Sequence, residues 1–168
     1  MCNCFNKMTL YILIFFLLIG FLVFVIVDIT TPAALGGIQA QLDDSGGEIQ
    51  ADGSNVIFNT ELNDQSSAIS YNSVTGEFTI AAPGNYLVNW WYATDGAGPA
   101  INVSFAVAVD GVAYSTASSP IVSGQLSGDA LVTLASPAVI TLINVTGDDV
   151  FIPSTPVQAN IVITEVVD

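Results

Sequence analysis

The chain predicts an antiparallel β-sandwich preceded by one apolar N-terminal segment long enough to span a bilayer. Three observations carry this. Past Val27, apolar residues recur with a period of two rather than 3.6, the pattern of half-buried strands. The alternating runs are short and separated by Gly, Pro, Ser and Asp, with no strand–helix–strand alternation. Asp110-Gly111, between Val109 and Val112, is a strong signal for a two-residue hairpin turn in which Gly111 supplies a positive φ.

Residues 1–8 form a short tail carrying Cys2, Cys4 and Lys7. Thr9–Val27, TLYILIFFLLIGFLVFVIV, is uncharged. At about 1.5 Å per residue its length matches a hydrocarbon core of about 30 Å. A secretory signal peptide is the rival reading, but its apolar region is usually about 7 to 15 residues, and Thr31-Pro32-Ala33 is a poor cleavage site. Length therefore favours an uncleaved anchor. With Lys7 before the segment and Asp28 after it, the positive-inside rule puts the C-terminal part outside the cytoplasm. Residues 28–37, with Pro32 and Gly36-Gly37, read as a short linker to a head over 38–168.

The head starts with Ile38, Ala40 and Leu42 alternating with Gln39 and Gln41. A polar loop is expected over Asp43–Gly53, then strands at Val56–Phe58 and Ala68–Tyr71 and a turn at Asn72–Gly76. Glu77–Thr94, EFTIAAPGNYLVNWWYAT, organises the rest. Phe78 and Ile80 alternate with Glu77 and Thr79, Pro83-Gly84 turns the chain, and a second strand puts Tyr86, Val88, Trp90 and Tyr92 on one face. Leu87, Asn89, Trp91 and Ala93 fall on the other, so neither face is fully polar. Such a strand is expected to be covered on both sides, by the opposite sheet and by a neighbouring subunit. Further strands are expected at Ile101–Val109, from Val112 through Tyr114, and at Ile121–Leu126, Ala130–Leu134, Val139–Val145 and Ala159–Val166.

The run Phe58, Asp64, Tyr71, Phe78, then Gly84-x-Tyr86-x-Val88-x-Trp90, resembles the signature of complement globular-head and tumour necrosis factor-like jelly rolls. ISYNSVTGEFTIAAPGNYLVNWW is similar to the C-terminal heads of bacterial collagen-like exosporium proteins of the BclA kind. Val88 stands where that family commonly has Phe, and no Gly-X-Y stalk is present. The resemblance implies that the sandwich is a jelly roll, that the head is a homotrimer, and that it sits on a bacterial cell or spore surface in a structural or adhesive role.

Composition excludes several functions. Fifteen acidic residues face one Lys and no Arg or His, a formal charge of −14. Lys7 is the only cation, so the head has none with which to bind phosphates, and nucleic acid is excluded as its partner. Cys2 and Cys4 are the only cysteines, which leaves the head neither a disulfide nor a thiolate nucleophile. That pair suits lipidation, cross-linking or, most simply, inert reduced thiols. Only carboxylates and tyrosines remain for catalysis, so an enzyme is not expected, and a carboxylate-dependent hydrolase is the remote alternative. Calcium needs only oxygen ligands, and Asp43, Asp44, Asp148 and Asp149 are its candidates, though no D-x-D-x-D-G loop occurs. No other cofactor is implied. Asn102-Val-Ser104 and Asn144-Val-Thr146 match the glycosylation pattern but fall in expected strands, and neither is claimed. Leu87 and Trp91 are the candidates for trimer or ligand contact, the latter if the head is instead a lectin-like or receptor-binding module for a glycan or protein.

Overall fold

The computed structural model describes residues 36–135 and 137–166, which belong to one compact unit, Leu35–Asp168. The tail of residues 1–8, the expected transmembrane helix over 9–27 and residues 28–35 lie outside the described residues. Among the described residues no helix is long and apolar enough to cross a membrane, and every regular element is a strand.

Two antiparallel five-stranded sheets face each other. The first contains β1 (Gly37–Asp43), β3 (Thr60–Asp64), β6 (Gly84–Asp95), β9 (Ser123–Leu134) and β12 (Val157–Val166), in the order β3-β1-β12-β6-β9. The second contains β4 (Ile69–Asn72), β5 (Glu77–Ile80), β7 (Val103–Val109), β8 (Val112–Ser119) and β10 (Ala138–Asn144), in the order β4-β5-β10-β7-β8. A small ribbon pairs β2 (Ile49–Gln50) with β11 (Val150–Phe151). Sequential strands thus cross between sheets, the connectivity of a jelly roll.

Alternation decides what fills the sandwich. Tyr86, Val88, Trp90 and Tyr92 of β6 point inward and are buried, as the period-two reading requires. They meet Phe105 and Val107 from the opposite sheet, and the Tyr92 ring stacks on Phe105 at 4.4 Å. Around β4 and β5, Tyr71 stacks on Phe78 at 4.4 Å while Phe58 packs on both. Each fully buried side chain of this size contributes about 1.5–3 kcal/mol.

The Asp110-Gly111 turn forms as expected. Its residues have φ of 50° and 78°, the two positive values of a type I′ turn, between β7 and β8. Asp110 also anchors the turn to β10, its backbone N–H donating to Val139 O and its carboxylate accepting from Val139 N, each at 2.8 Å.

Several boundaries differ from the expectation. Val56–Phe58 belongs to no strand, and the strand lies instead at β3, whose sequence TELND is largely polar because β3 is an exposed sheet edge. The Asp43–Gly53 loop contains β2, and its partner β11 was likewise not expected from two residues of sequence. The strands expected at Ile121–Leu126 and Ala130–Leu134 are one strand, β9, which begins at Ser123 and continues through Ser127-Gly128-Asp129. There Gly128 is needed for close approach: a Cβ would stand 2.7 Å from Cζ2 of Trp90. Residue 37, placed in the linker by composition, is already the first residue of β1.

Candidate functional site

The outer face of the first sheet is the most distinctive surface of the head. Because Leu87, Asn89, Trp91 and Ala93 alternate with the buried set on β6, they must point away from the core. Antiparallel register then gathers their neighbours. Leu87 lies opposite Thr164 of β12 and Leu131 of β9, Asn89 opposite Val162 and Asp129, and Trp91 opposite Asn160 and Ser127. Leu87, Trp91 and Val162 are half-buried and Leu131 is exposed, so an apolar centre is set among amides and hydroxyls. A shallow depression of about 330 Å³ lies beside Trp91, with Asn89, Gln125, Asp129, Asn160 and Val162 around it. Asn160 is held by Gln39, whose Nε2 donates to Asn160 Oδ1 at 2.8 Å. Thr133 similarly donates to Asn85 Oδ1 at 2.7 Å. The middle of this face therefore carries one charge, Asp129, and otherwise neutral groups that tolerate desolvation when partnered.

The two contact candidates, Leu87 and Trp91, thus share one face, whereas the calcium candidates do not assemble. Among the described residues no three acidic side chains come together. Asp43 and Asp44 end β1, where Asn59 bonds both backbone groups of Asp43 and the backbone N–H of Asp44 donates to Pro156 O. Asp149 accepts from the backbone N–H of Asp52 at 3.1 Å, and the carbonyl of Asp148 accepts from Asn144. These bonds fix the backbone at each pair, and of the four carboxylates only that of Asp149 takes part in them.

Both glycosylation-pattern asparagines were expected inside strands. Asn144 is: it is fully buried, its amide N–H groups donating to Gln50 O and Asp148 O and its oxygen accepting from Thr146 N, all at 3.0 Å. Asn102 instead lies exposed just before β7.

Three phenols sit in or against the core, and burial raises the pKa of each. Tyr71 is pushed up to about 12, its hydroxyl donating to Phe58 O and accepting from Phe58 N. Tyr86 is raised by burial and then by the nearby Glu165, and Tyr92 by burial and then by Glu48. All three stay neutral at ordinary pH, and the Tyr92 hydroxyl has no hydrogen-bond partner among the described residues. None is poised to act as a base.

Sequence reasoning missed a second surface, on the β2–β11 ribbon, where Ile49 and Phe151 are exposed. The only signal was Ile49 between Glu48 and Gln50 and the short apolar run Val150-Phe151-Ile152, both too short for periodicity.

No protein-family model and no curated protein sequence matches the chain. Solved structures do. The globular domain of zebrafish complement 1qA is similar with a TM-score of 0.57 at 16% identity, over 79% of this chain and 96% of that one. Eiger TNF from S. frugiperda is similar at 0.61 and 13%, over 80% and 94%. Murine APRIL at pH 8.0 is similar at 0.62 and 8%, over 79% and 99%. At such identities the likeness is one of fold: the described residues form an all-β antiparallel jelly-roll sandwich with the architecture of complement and tumour necrosis factor globular heads.

Proposed function

We propose that this chain is a membrane-tethered, surface-displayed head that assembles as a homotrimer through the outer face of the β3-β1-β12-β6-β9 sheet and serves surface structure or adhesion. The observation that carries the reading is the apolar centre of Leu87, Trp91, Val162 and Leu131 on a face otherwise made of amides and hydroxyls. A lone head leaves that centre wet, and a second copy of the same surface removes it from water with few charges to desolvate. The number three, and the bacterial cell or spore surface as the location, come from the resemblance to BclA-like heads. The uncharged run Thr9–Val27 supports the tether and an extracytoplasmic head. The reading is non-enzymatic: residues 36–166 contain no Lys, Arg, His or Cys, and the buried phenols are held neutral.

The depression beside Trp91 favours a second reading, a lectin-like module, because an aromatic ring flanked by Asn89, Gln125, Asp129 and Asn160 also suits a sugar. Trp91→Ser separates the two. In the structural reading it weakens assembly and a glycan array stays blank for both forms. In the lectin reading, wild type gives an array signal that the variant loses while the number of chains per particle is unchanged. The tether is tested on intact cells with a C-terminal tag: protection of that tag from added protease would contradict an external head.

A further inference from the structure

The geometry points to a docking groove for a basic, apolar polypeptide segment at the far end of the sandwich, formed by the β2–β11 ribbon and the extended stretch after Asn55. Its place follows from register. β1 pairs Gly37 with Thr164 at one end and Asp43 with Val157 at the other. β2 follows the Asp43 end and β11 precedes the Val157 end, so the ribbon lies away from Gly37, where the chain comes in. It is tied to the far end of β6, with Val150 bridging Ala97 and the Phe151 N–H donating to Gly96 O at 3.0 Å. Seven residues of β1 separate the two ends, about 20 Å at about 3.3 Å per residue.

The ribbon wears its apolar residues outward. Ile49 and Phe151 are directly opposite each other and so share a face, 55% and 44% exposed, while their neighbours Gln50 and Val150 point inward and are buried. Ile49 also lines a groove of about 240 Å³ with Ile57, which is 44% exposed, and with Ile152, Glu48, Gln50 and Asn55. Ile49 therefore lies between Phe151, its partner across the ribbon, and Ile57, with which it lines the groove, where single scattered apolar residues would need no explanation. The groove is also braced. Gln50 donates to Ser54 Oγ at 2.6 Å and Asn55 O at 3.1 Å, and buried Asn144 ties Gln50 O to the β10–β11 loop. That bracing keeps the patch from collapsing onto itself, which lowers the ordering cost of binding.

Charge selects the occupant. Glu48 is exposed on the rim, Asp52 and Asp149 lie exposed on the adjoining loops, and residues 36–166 hold no cation to offset them. An anionic partner is repelled from such a site, whereas a segment carrying Lys or Arg beside a Leu- or Phe-like anchor is complementary to both the rim and the groove. The residues lining this groove include none of those around the Trp91 depression.

The test is fluorescence anisotropy of a labelled short peptide alternating lysine with leucine, titrated with the full chain held in a phosphatidylcholine nanodisc. Binding is expected, weakened about tenfold or more by the paired substitution Ile49→Ser and Phe151→Ser, the loss typical of removing central apolar anchors. Glu48→Gln should also weaken it. Peptides alternating glutamate with leucine, or lysine with serine, should bind at least about tenfold more weakly. Absence of binding, equal affinity for the paired variant, or equal affinity for the lysine–serine peptide would each overturn the proposal, the last by reducing it to charge attraction without a groove. Loss of binding in Trp91→Ser with retention in the paired variant would move the site to the sheet face and overturn it too. All substituted side chains are exposed or half-buried, and an unchanged urea midpoint shows that each variant is folded.

Discussion

Gly76 and Gly111 have nearly the same backbone conformation and opposite surroundings, which allows a steric cost to be isolated. Their φ values are 71° and 78°. An L-residue in this region costs about 1–2 kcal/mol wherever it stands. At Gly111 a Cβ would meet nothing within 4 Å, so Gly111→Ala should cost that strain alone, and Gly111→Val up to about 3 kcal/mol because β-branching is poorly tolerated there. At Gly76 a Cβ would stand 2.5 Å from the carbonyl oxygen of Val56. Val56 cannot yield cheaply: its side chain is fully buried and its N–H donates to Leu142 O at 2.7 Å. Gly76→Ala should therefore lose the same strain plus the cost of displacing a buried segment, about 3–5 kcal/mol in all, the range of severe core damage. Urea unfolding followed by tryptophan emission measures both, since Trp90 and Trp91 are the only tryptophans and lie on β6. Equal losses at the two positions would refute the argument that Val56 crowds Gly76.

Tyr92→Phe removes a buried hydroxyl that has no partner among the described residues and keeps the ring stacked on Phe105, so the melting temperature should hold or rise; a loss above about 1 kcal/mol would mean that the hydroxyl is satisfied. Asn144→Ala leaves Gln50 O and Asp148 O without their donor in a buried setting and should cost about 2–3 kcal/mol by urea unfolding, with a loss below about 0.5 contradicting its role as a loop staple. Alkaline pH should also destabilise the head. Tyr71 ionises near 10.0 when unfolded and at about 12 when folded, so its contribution is fully present below pH 10 and is lost as pH rises through 12; Tyr71→Phe should flatten the fall in urea midpoint over that window, and an identical fall would sink the assignment.

How far the fold could be read depended on strand length and burial. The faces of β6 were readable because its positions alternate between a buried and a half-exposed side, although the strand runs one residue further at each end than the expected Asn85–Thr94, taking in Gly84 from the turn and Asp95. The β7–β8 turn was readable because only a few dipeptides adopt two consecutive positive φ values. β3 escaped because an exposed edge strand needs no apolar alternation, and β2 and β11 because two residues carry no period. β9 was split in two because Ser127-Gly128-Asp129 reads as a turn, whereas Gly128 is there to admit the Trp90 ring. Of the candidate site, Leu87 and Trp91 were found by alternation alone. Asn160, Val162, Gln125 and Leu131, which complete the face with them, come from strands distant in sequence and become neighbours only through register.

The outer sheet face is what the proposed assembly depends on. The direct measurement is the number of chains per particle, from light scattering with the detergent contribution subtracted, for the full chain and for Leu87→Glu. Leu87→Glu puts a charge at the apolar centre of the face and leaves the core untouched, since residue 87 points away from it. Three chains per particle are expected for the wild type and single chains for the variant. Added salt should strengthen the wild-type trimer, because heads that carry acids and no cations repel one another until screened. A wild-type chain that stays monomeric at every ionic strength, or a Leu87→Glu variant that remains trimeric, would contradict the claim that this face holds the heads together.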